Sequence, residues 1–345
     1  MHIDAFDYTL PKDLIARHSV SPRDSARMLI LHRETKLLEY NHVYDLAEYL
    51  RPGDLIILNN TKVFKARLYI EHKDKAIEIF FLRPDVKAKT EWHVLLGHGK
   101  KIHAGDALTL PDGTIAELIG QAEDGVSLLE TSRSPEEMFE MLEQYGEMPT
   151  PPYVASTEKN RSEYQTIYAE ETGSVAAPTA GFHLTDRLMD ACRRKGTQFV
   201  DVTLHVGLGT FRPVRAQRLH EHVMHEEWMH IPKETIRAIK ETKGNGGRVI
   251  AIGTTATRAL ESLTVDRELN EIADENVEGF TRLFITPGFQ FKVVDCLLTN
   301  FHLPKSTLLV LVSAFAGREL VLNAYAQAIQ EQFRFYSFGD AMLVI

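Results

Sequence analysis

The sequence changes its pattern twice along the chain, and this change constrains the fold more than any single motif does. From Ala66 to Met148, short runs of β-forming residues, such as AIEIFFL and EWHVLLG, alternate with turn-forming clusters such as Pro111-Asp112-Gly113. Regular spacing of this kind predicts a small antiparallel barrel. On either side, buried-strand patterns alternate with helical ones. The sequence therefore predicts a mixed-sheet α/β main domain (1–65 and 149–345) with an inserted small antiparallel β-barrel domain (66–148).

Individual elements of the main domain follow from the same patterns. DRLMDACRRKG predicts a helix that begins after Thr185, and QFVDVTLHV predicts a strand with alternating faces. GRVIAIG and ATRALESL predict a strand that leads directly into a helix, and RLFITPG predicts a further strand. The last segment, FRFYSFGDAMLVI, predicts a strand, a turn at Gly339-Asp340 and a final buried run.

Composition excludes several classes of protein. Of the 345 residues, 44% are hydrophobic and 25% are charged, close to the averages of soluble globular proteins. The N-terminal segment is charged from Asp4 onward, and the longest apolar run, from Leu308 to Ala316, is less than half of a membrane span. These features predict a cytoplasmic protein without a membrane partner. Two cysteines, Cys192 and Cys296, argue against a disulfide framework and a cysteine zinc site.

The stretch GSVAAPTAGFHLT combines small residues with one histidine just before a predicted helix. Small side chains up to Gly181 let the backbone approach a ligand, and the free N–H groups of the helix that follows Thr185 are able to bind an anion. His183 is then a candidate for proton transfer at this entrance. A well-packed loop, in which His183 is bonded to the backbone, is an equally favoured alternative.

A G-x-G turn follows a predicted strand in HVGLGTFRPV. Gly207 and Gly209 allow a tight turn at the end of the strand that carries His205. The third glycine of a dinucleotide fingerprint is missing, so this segment does not support such a cofactor. Asp201 shares a face with His205 and is a candidate to orient the imidazole, whereas a solvated outward face is the equally favoured alternative.

Two further junctions carry anion-binding features. In VIAIGTTATRALES an apolar strand meets Thr254 and Thr255, and Arg258 lies one turn inside the helix that follows. Ordinary capping by Thr255 explains the same pattern without a ligand. In NFHLPKSTL, His302 and Lys305 precede a helix start, which is another terminus able to face an anion.

The histidine-rich run HEHVMHEEWMH, from His220 to His230, allows a metal-dependent hydrolase as an alternative function. Its histidines lack the H-E-x-x-H spacing of helical zinc proteases, because His225 and His230 are five residues apart. A metal analysis of the purified protein would separate this alternative. A non-catalytic RNA-binding module is another alternative, although it does not explain why the glycine-lined junctions carry histidines.

Taken together, the motifs of the chain closely resemble the S-adenosylmethionine:tRNA ribosyltransferase-isomerase family of the queuosine pathway. The resemblance covers essentially the full length. It is carried by FDYTLPKDLIA, SPRDSARMLIL, GDLIILNNTKVFKARL, GEMPTPPYV, YQTIYAEETGSVAAPTAGFHLT, VTLHVGLGTFRPV, HVMHEEW, GTTATRALES, LLTNFHLPKSTLLVLVSAFAG and RFYSFGDAMLVI.

The resemblance implies an enzyme that transfers and isomerises the ribosyl group of S-adenosylmethionine onto 7-aminomethyl-7-deazaguanine at the tRNA wobble position. The products are epoxyqueuosine-tRNA, adenine and methionine. S-adenosylmethionine is then a consumed co-substrate, and no other cofactor, metal or obligate protein partner is expected. The fold implied by the family, an α/β domain with an inserted β-barrel, matches the one predicted from the residues.

Residue types suggest roles within this reaction. His183 and His205 are expected to transfer protons, with acid and base unassigned, and Asp340 is expected to position an amine or a ribose hydroxyl. Arg258, with the Thr254-Thr255 turn, is expected to hold the methionyl carboxylate. The expected substrate-binding residues are Gly181, Thr185, Gly207, Gly209, Thr210, Thr254, Thr255, Arg258, His302 and Lys305.

The net charge of −9 argues against non-specific coating of nucleic acid, so binding of tRNA requires a local basic track. The expected track consists of Arg17, Arg23, Arg27, Lys62, Lys65, Arg67, Lys100 and Lys101.

Overall fold

The computed structural model describes residues 1–97, 102–122, 125–151, 153–154, 157, 163–207 and 216–345. The chain divides into two compact units. The main unit comprises Met1–Thr61, Pro152–Glu171 and Pro178–Ile345, and the inserted unit comprises Lys62–Pro151 and Thr172–Ala177. The division of the chain thus adds a short return segment, 172–177, to the inserted segment expected over 66–148.

The strands of the described residues, in chain order, belong to both units. They are β1 (Arg27–Leu31), β2 (Leu38–His42), β3 (Leu55–Asn59), β4 (Thr61–Val63), β5 (Arg67–His72), β6 (Lys75–Pro84), β7 (Glu91–Leu96), β8 (Ala107–Thr109), β9 (Ile115–Gln121), β10 (Ser127–Thr131), β11 (Glu171–Ser174), β12 (Gln198–Leu204), β13 (Glu227–Ile231), β14 (Val249–Ile252), β15 (Val277–Thr281), β16 (Cys296–Asn300) and β17 (Ala341–Val344).

The α-helices of the described residues lie mostly in the main unit. They are α1 (Pro135–Tyr145), α2 (Asp186–Arg194), α3 (Lys233–Gly244), α4 (Thr254–Ser262), α5 (Thr307–Ala316) and α6 (Arg318–Gln330). Within the described part of the chain, no single helix is long and apolar enough to cross a membrane. Helices α5 and α6 reach that length and apolar composition only when they are taken together, and the chain bends by 113° between them.

A nine-stranded mixed sheet organises the main unit, in the order β15-β13-β12-β3-β14-β16-β17-β1-β2. Strand β3 lies between β12 and β14 and runs parallel to both, and β14 is also parallel to β16. Strand β17 is antiparallel to β16 and parallel to β1. The carboxyl ends of β12, β3, β14 and β16 therefore share one edge with the amino ends of β17 and β1. We call this the carboxyl edge, and the mixed α/β fold is confirmed.

The central strands are continuously apolar because both of their faces are covered. Every residue of β3, β14, β16 and β17 is buried. The polar face of β12 is also partly covered, since Thr203 is buried and Asp201 and His205 are half-buried. The solvated outward face that was the alternative for His205 is therefore wrong.

Two predicted strands are replaced by other structure. Strand β15 ends at Thr281, before the RLFITPG segment begins at Arg282, so the strand lies earlier than predicted. The FRFY segment forms only an isolated bridge between Phe335 and Ile15. The aromatic residues of this segment pack in the core and do not form a strand. Phe335 contacts the rings of Tyr325 and Phe301.

The inserted unit contains a six-stranded antiparallel sheet, in the order β5-β6-β7-β10-β9-β8. Its edge strands, β5 and β8, approach each other, so that the sheet nearly closes into the predicted barrel. Trp92 is fully buried at its centre, with ring centroids 5.6 Å from Phe81 and 5.2 Å from Phe139. Helix α1 begins at a side-chain cap, because the Ser134 hydroxyl accepts the Glu137 N–H at 3.3 Å.

Candidate active site

Polar residues follow each parallel strand at the carboxyl edge of the main sheet. Ligands of open α/β sheets bind beyond the carboxyl ends of the strands, where neighbouring connections leave in opposite directions. Strand β3 provides such a point, because β12 lies on one side of it and β14 on the other. The turns that meet there carry Thr61, His205, Thr255 and Asn300. This edge is the candidate active site.

Asn59 joins three of these strand ends through one side-chain amide. Its oxygen accepts the N–H groups of Leu204 and Thr61, at 3.0 and 3.2 Å. Its nitrogen donates to the Leu204 carbonyl at 3.0 Å and to the Thr255 hydroxyl at 3.1 Å. The residue is fully buried, so these bonds fix the edge geometry. The sequence pattern did not identify this role, although an Asn at the end of a buried strand requires such partners.

His205 follows β12 and is held on one side only. Its Nδ1 lies 2.8 Å from the Thr61 hydroxyl, and its ring stacks on Trp228 with centroids 4.9 Å apart. Within the described part of the chain, the imidazole makes no other hydrogen bond, so Nε2 is left for a ligand. Burial lowers the pKa of His205 to about 4, which keeps the ring neutral at pH 7.

Asp201, the predicted partner of His205, has another environment. Burial, together with the nearby charge of Glu170, raises the pKa of its carboxyl group. Among the described residues, the hydroxyl of Thr61 and not a carboxylate contacts Nδ1 of His205. Asp201 and His205 share a face of the strand, as predicted, but the hydrogen-bond partner of His205 is Thr61, from a different segment of the chain.

His183 is held on both sides. It is 3% exposed and ends the 3-10 turn Thr179–His183, ahead of α2. The Asn300 amide nitrogen lies 3.1 Å from its Nε2, and the ring also bonds to the backbone of Arg23. Burial lowers the pKa of His183 to about 4, so the ring is neutral at pH 7 and accepts the Asn300 amide N–H at Nε2. The loop around His183 is thus well packed, and the role of His183 in the reaction stays a prediction.

Gly181 and Thr185 are packed into the protein around His183. A Cβ at Gly181 would lie only 1.9 Å from the Tyr168 hydroxyl oxygen, so close packing requires glycine there. The Thr185 hydroxyl accepts the Leu188 N–H at 3.3 Å as the cap of α2 and donates to Asp24 at 2.7 Å. The same buried Asp24 pairs with Arg187 at 2.5 Å. These contacts order the entrance to α2.

Arg258 lies inside α4 and forms a buried ion pair with Glu227, and both side chains are at most 4% exposed. The other carboxylate oxygen of Glu227 accepts the Gly207 N–H at 2.9 Å, so the pair fixes the start of the glycine turn. Nε of Arg258 donates to the Leu283 carbonyl at 3.2 Å. Its buried Nη2 has no hydrogen-bond partner among the described residues. At the start of the same helix, Thr254 and Thr255 are buried.

Asp340 closes a loop at the amino end of β17. Its carboxylate accepts the Arg334 N–H at 2.7 Å and the Arg27 N–H at 3.1 Å. His302, whose pKa burial lowers to about 3, lies with Nε2 2.8 Å from the Thr299 hydroxyl. Lys305 pairs with Asp4 at 2.8 Å and with Asp7 at 2.9 Å, which attaches the N-terminal segment.

The basic residues expected to contact tRNA are divided between the units. Arg23 donates to the Gln165 carbonyl at 2.9 Å, and Arg27 lies 3.8 Å from the centre of the Phe333 ring. In the inserted unit, Lys65 and Arg67 pair with acidic residues at 3.0 and 3.1 Å. Arg17 and Lys62 are exposed. Gly209, Thr210, Lys100 and Lys101 lie outside the described residues.

The histidine-rich run does not form a metal site within the described residues. No three His, Cys, Asp or Glu side chains converge there in a way that could hold an ion. His222 packs edge-on against Phe284, with centroids 5.1 Å apart, and His230 lies beside Trp228. The alternative of a metal-dependent hydrolase is therefore unsupported.

The mixed sheet and the inserted barrel-like unit define an α/β protein, and the polar carboxyl edge is its candidate ligand site. The family described as queuosine biosynthesis protein matches residues 3–344, and the chain belongs to that family. This result confirms the family resemblance of the motifs.

Relatives of known name agree with this assignment. S-adenosylmethionine:tRNA ribosyltransferase-isomerases from Thermotoga maritima and Thermotoga petrophila are each 44% identical over 346 residues, with full coverage of both chains. The crystal structure of S-adenosylmethionine tRNA ribosyltransferase from Thermotoga maritima has a TM-score of 0.58 and 37% identity. That similarity covers 99% of this chain and 100% of the other.

Proposed function

We propose that the chain transfers and isomerises the ribosyl group of S-adenosylmethionine onto 7-aminomethyl-7-deazaguanine at the tRNA wobble position. The products are epoxyqueuosine-tRNA, adenine and methionine. The full-length similarity to enzymes named for this reaction supports the class. The observation that carries the site assignment is the open Nε2 of His205 at the carboxyl edge, because this reaction needs a base close to the sulfonium.

The chemistry of the co-substrate defines what the site must do. A sulfonium acidifies the hydrogens of the adjacent ribose 5′-carbon, so a base removes one of them to give an ylide. Departure of adenine is then assisted by a proton donor at the purine. A neutral histidine suits the first step, because its free ring nitrogen accepts a proton at neutral pH.

The two candidate histidines receive different roles. His205 transfers the proton through Nε2, because Thr61 holds Nδ1 and Trp228 fixes the plane of the ring. For Nε2 to act as the base, Nδ1 must carry the proton and donate it to the Thr61 oxygen. His183 is a positioning residue, because Asn300 already occupies its Nε2. We therefore assign His205 as the base. We assign His183 as the residue that orients the Asn300 side chain.

The methionyl end of the co-substrate is assigned to the start of α4. Thr254 and Thr255 begin this helix at the carboxyl edge, where first-turn N–H groups face outward. Glu227 pairs with the charge of Arg258, and the unpartnered Nη2 of the same guanidinium remains as a hydrogen-bond donor for the methionyl carboxylate. Gly207 shapes the neighbouring wall. Gly181, Thr185, His302, Lys305 and Asp340 support the site through their contacts within the protein.

The partners follow from the same reaction. S-adenosylmethionine is consumed as a co-substrate, and the reaction needs no additional cofactor or metal. The tRNA approaches an acidic protein, so its phosphates require the basic side chains of both units. We assign that role to Arg17, Arg23, Arg27, Lys62, Lys65, Arg67, Lys100 and Lys101.

The first test is adenine release from S-adenosylmethionine, measured by chromatography. One reaction contains tRNA with the aminomethyl-deazaguanine, and the control contains the same tRNA with plain guanine. We expect release only with the modified tRNA. Absence of release with both tRNAs, from folded protein, would reject the proposed reaction.

A further inference from the structure

The loop from Arg334 to Asp340 holds one tyrosine in an unfavourable backbone conformation. Tyr336 has a φ of 73°, in the left-handed region that bulky residues rarely adopt. Such a conformation persists only where the surrounding structure fixes it, and it concentrates at functional sites. No step of the mechanism above uses this residue.

The loop is closed tightly at its base. The Asp340 N–H donates to the Arg334 carbonyl at 2.8 Å, and the Asp340 carboxylate accepts the Arg334 N–H at 2.7 Å. A Cβ at Gly339 would lie 2.5 Å from the Arg334 carbonyl oxygen, so only glycine fits there. The closed base of the loop holds Tyr336 in this backbone conformation. The buried carboxylate of Asp340 has a structural role, because it closes that base.

Tyr336 is paired with a second tyrosine from a different part of the main unit. The rings of Tyr153 and Tyr336 have centroids 4.9 Å apart, and the Tyr153 hydroxyl bonds to the Ser337 hydroxyl at 2.8 Å. Both tyrosines are half-buried, so each remains in part accessible to solvent. Burial raises the pKa of each phenol to about 12, and both rings are therefore uncharged at neutral pH.

The pair lies at the carboxyl edge, next to the residues around His183. The Tyr336 N–H donates to the Phe301 carbonyl at 3.1 Å, and Phe301 directly follows Asn300, the partner of His183. In the same loop, Phe338 stacks on Phe182, with centroids 5.6 Å apart. The two tyrosines are thus held beside the proposed reaction site.

We infer that Tyr153 and Tyr336 form a stacking platform for a flat, purine-type base. This inference rests on the proposed function, in which two such bases meet at the site, the adenine of the co-substrate and the deazaguanine of the tRNA. Neutral aromatic rings with open faces bind the π-face of a base and do not require a particular set of hydrogen bonds. The strained backbone directs the Tyr336 ring toward its partner and the ligand.

The test uses Tyr336→Leu and Tyr153→Leu, with Tyr336→Phe as the matched control that keeps the ring. Leucine at position 336 experiences the same left-handed backbone, so the comparison isolates the aromatic face. Phe280→Leu, on the distant edge strand β15, controls for loss of a partly exposed aromatic residue. The measurements are the Kd of S-adenosylhomocysteine without tRNA, by calorimetry, and the KM of the modified tRNA in adenine release.

We expect each Leu variant to weaken one of these two interactions by roughly 5- to 150-fold, since stacking on one aromatic residue contributes about 1 to 3 kcal/mol per base. Phe280→Leu should stay within about twofold of the wild type, and Tyr336→Phe should retain clearly more of the affected interaction than Tyr336→Leu. A change confined to the Kd of S-adenosylhomocysteine assigns the platform to adenine, and a change confined to the KM assigns it to the tRNA base.

Two outcomes would overturn the inference. The first is that both Leu variants, folded by thermal melting, bind S-adenosylhomocysteine and use tRNA like the wild type. The second is that Tyr336→Phe loses as much as Tyr336→Leu, because the hydroxyl and not the ring would then matter. Failure of the proposed function is distinguishable, since it is the absence of adenine release from the wild type. A wild-type chain that also binds no S-adenosylhomocysteine would overturn both.

Discussion

His183 and His205 lie at the same edge of the same sheet, and burial lowers both pKa values to about 4, yet their surroundings differ in one respect. The nitrogens of His183 are engaged by Asn300 and by the backbone of Arg23. Among the described residues, His205 is engaged only through Nδ1, by Thr61. A buried histidine therefore indicates a proton-transfer site only when one of its nitrogens remains free. The lowered pKa alone does not distinguish a proton-transferring histidine from a structural one, because His183 and His205 share it.

The largest effect that tests this comparison is expected for His205→Ala. Loss of the proton-transferring group should lower the rate of adenine release by about 10²- to 10⁴-fold. Added imidazole should restore part of the rate, because it fits the space left and supplies the missing nitrogen. Chromatography of adenine at rising imidazole concentration measures this. Equal rescue of His183→Ala would contradict the division of roles.

The second effect concerns stability in acid. The unfolded chain binds protons on both histidines below about pH 6.5, whereas the folded chain keeps them neutral down to about pH 4. The free energy of unfolding should therefore fall as the pH is lowered from 6.5 to 4, by on the order of a few kcal/mol. Urea unfolding at intervals across this window measures it. In His205→Asn the slope should be smaller, and an unchanged slope would show that His205 protonates freely in the folded state.

A smaller effect is expected on the stability of His183→Ala at neutral pH. The substitution leaves the Asn300 amide and the Arg23 backbone without a partner in a buried place. Unsatisfied buried groups cost about 1 to 3 kcal/mol, which urea unfolding at pH 7 should detect. His183→Gln, which is able to accept from Asn300, should recover part of the loss. A His183→Ala variant as stable as the wild type would mean that these bonds contribute nothing.

The smallest effect is expected for Thr61→Val, which keeps the shape of the side chain but removes the hydroxyl that holds His205. The kcat of adenine release should fall about 2- to 12-fold, since a neutral hydrogen bond contributes about 0.5 to 1.5 kcal/mol. The KM for S-adenosylmethionine should change little, because Thr61 acts through His205. Thr61→Ser should restore kcat. If Val and Ser behave alike, the hydroxyl does not orient the imidazole.

The fold was predictable from the sequence wherever burial sets the pattern. Continuous apolar runs identified β14 and β17, and regular turns identified the barrel, because periodicity directly reports which faces are covered. The strand predicted for RLFITPG was wrong. Its apolar residues lie outside the sheet, and β15 is formed by the preceding residues, Val277–Thr281. Composition does not distinguish a strand from an extended segment that is buried for another reason.

The site was only partly predictable, because contacts between distant segments determine it. The histidines and the start of α4 were identified from local pattern, and all lie at the carboxyl edge. The partner of His205 comes from a turn 144 residues earlier in the chain, so spacing along β12 pointed to Asp201 instead. The roles of Asn59, Tyr153 and Tyr336 were missed for the same reason.

The position of β17 has a consequence for the order in which the protein forms. This strand follows every other described strand in the chain, yet it lies between β16 and β1 and joins them. During synthesis, the β1-β2 hairpin must therefore wait, with one edge unpaired, until residues 341–344 have left the ribosome. A chain terminated before Arg334 would lack both the joining strand and the loop that carries Tyr336. The loop from Arg334 to Asp340 is therefore completed only when the last described strand has been synthesised.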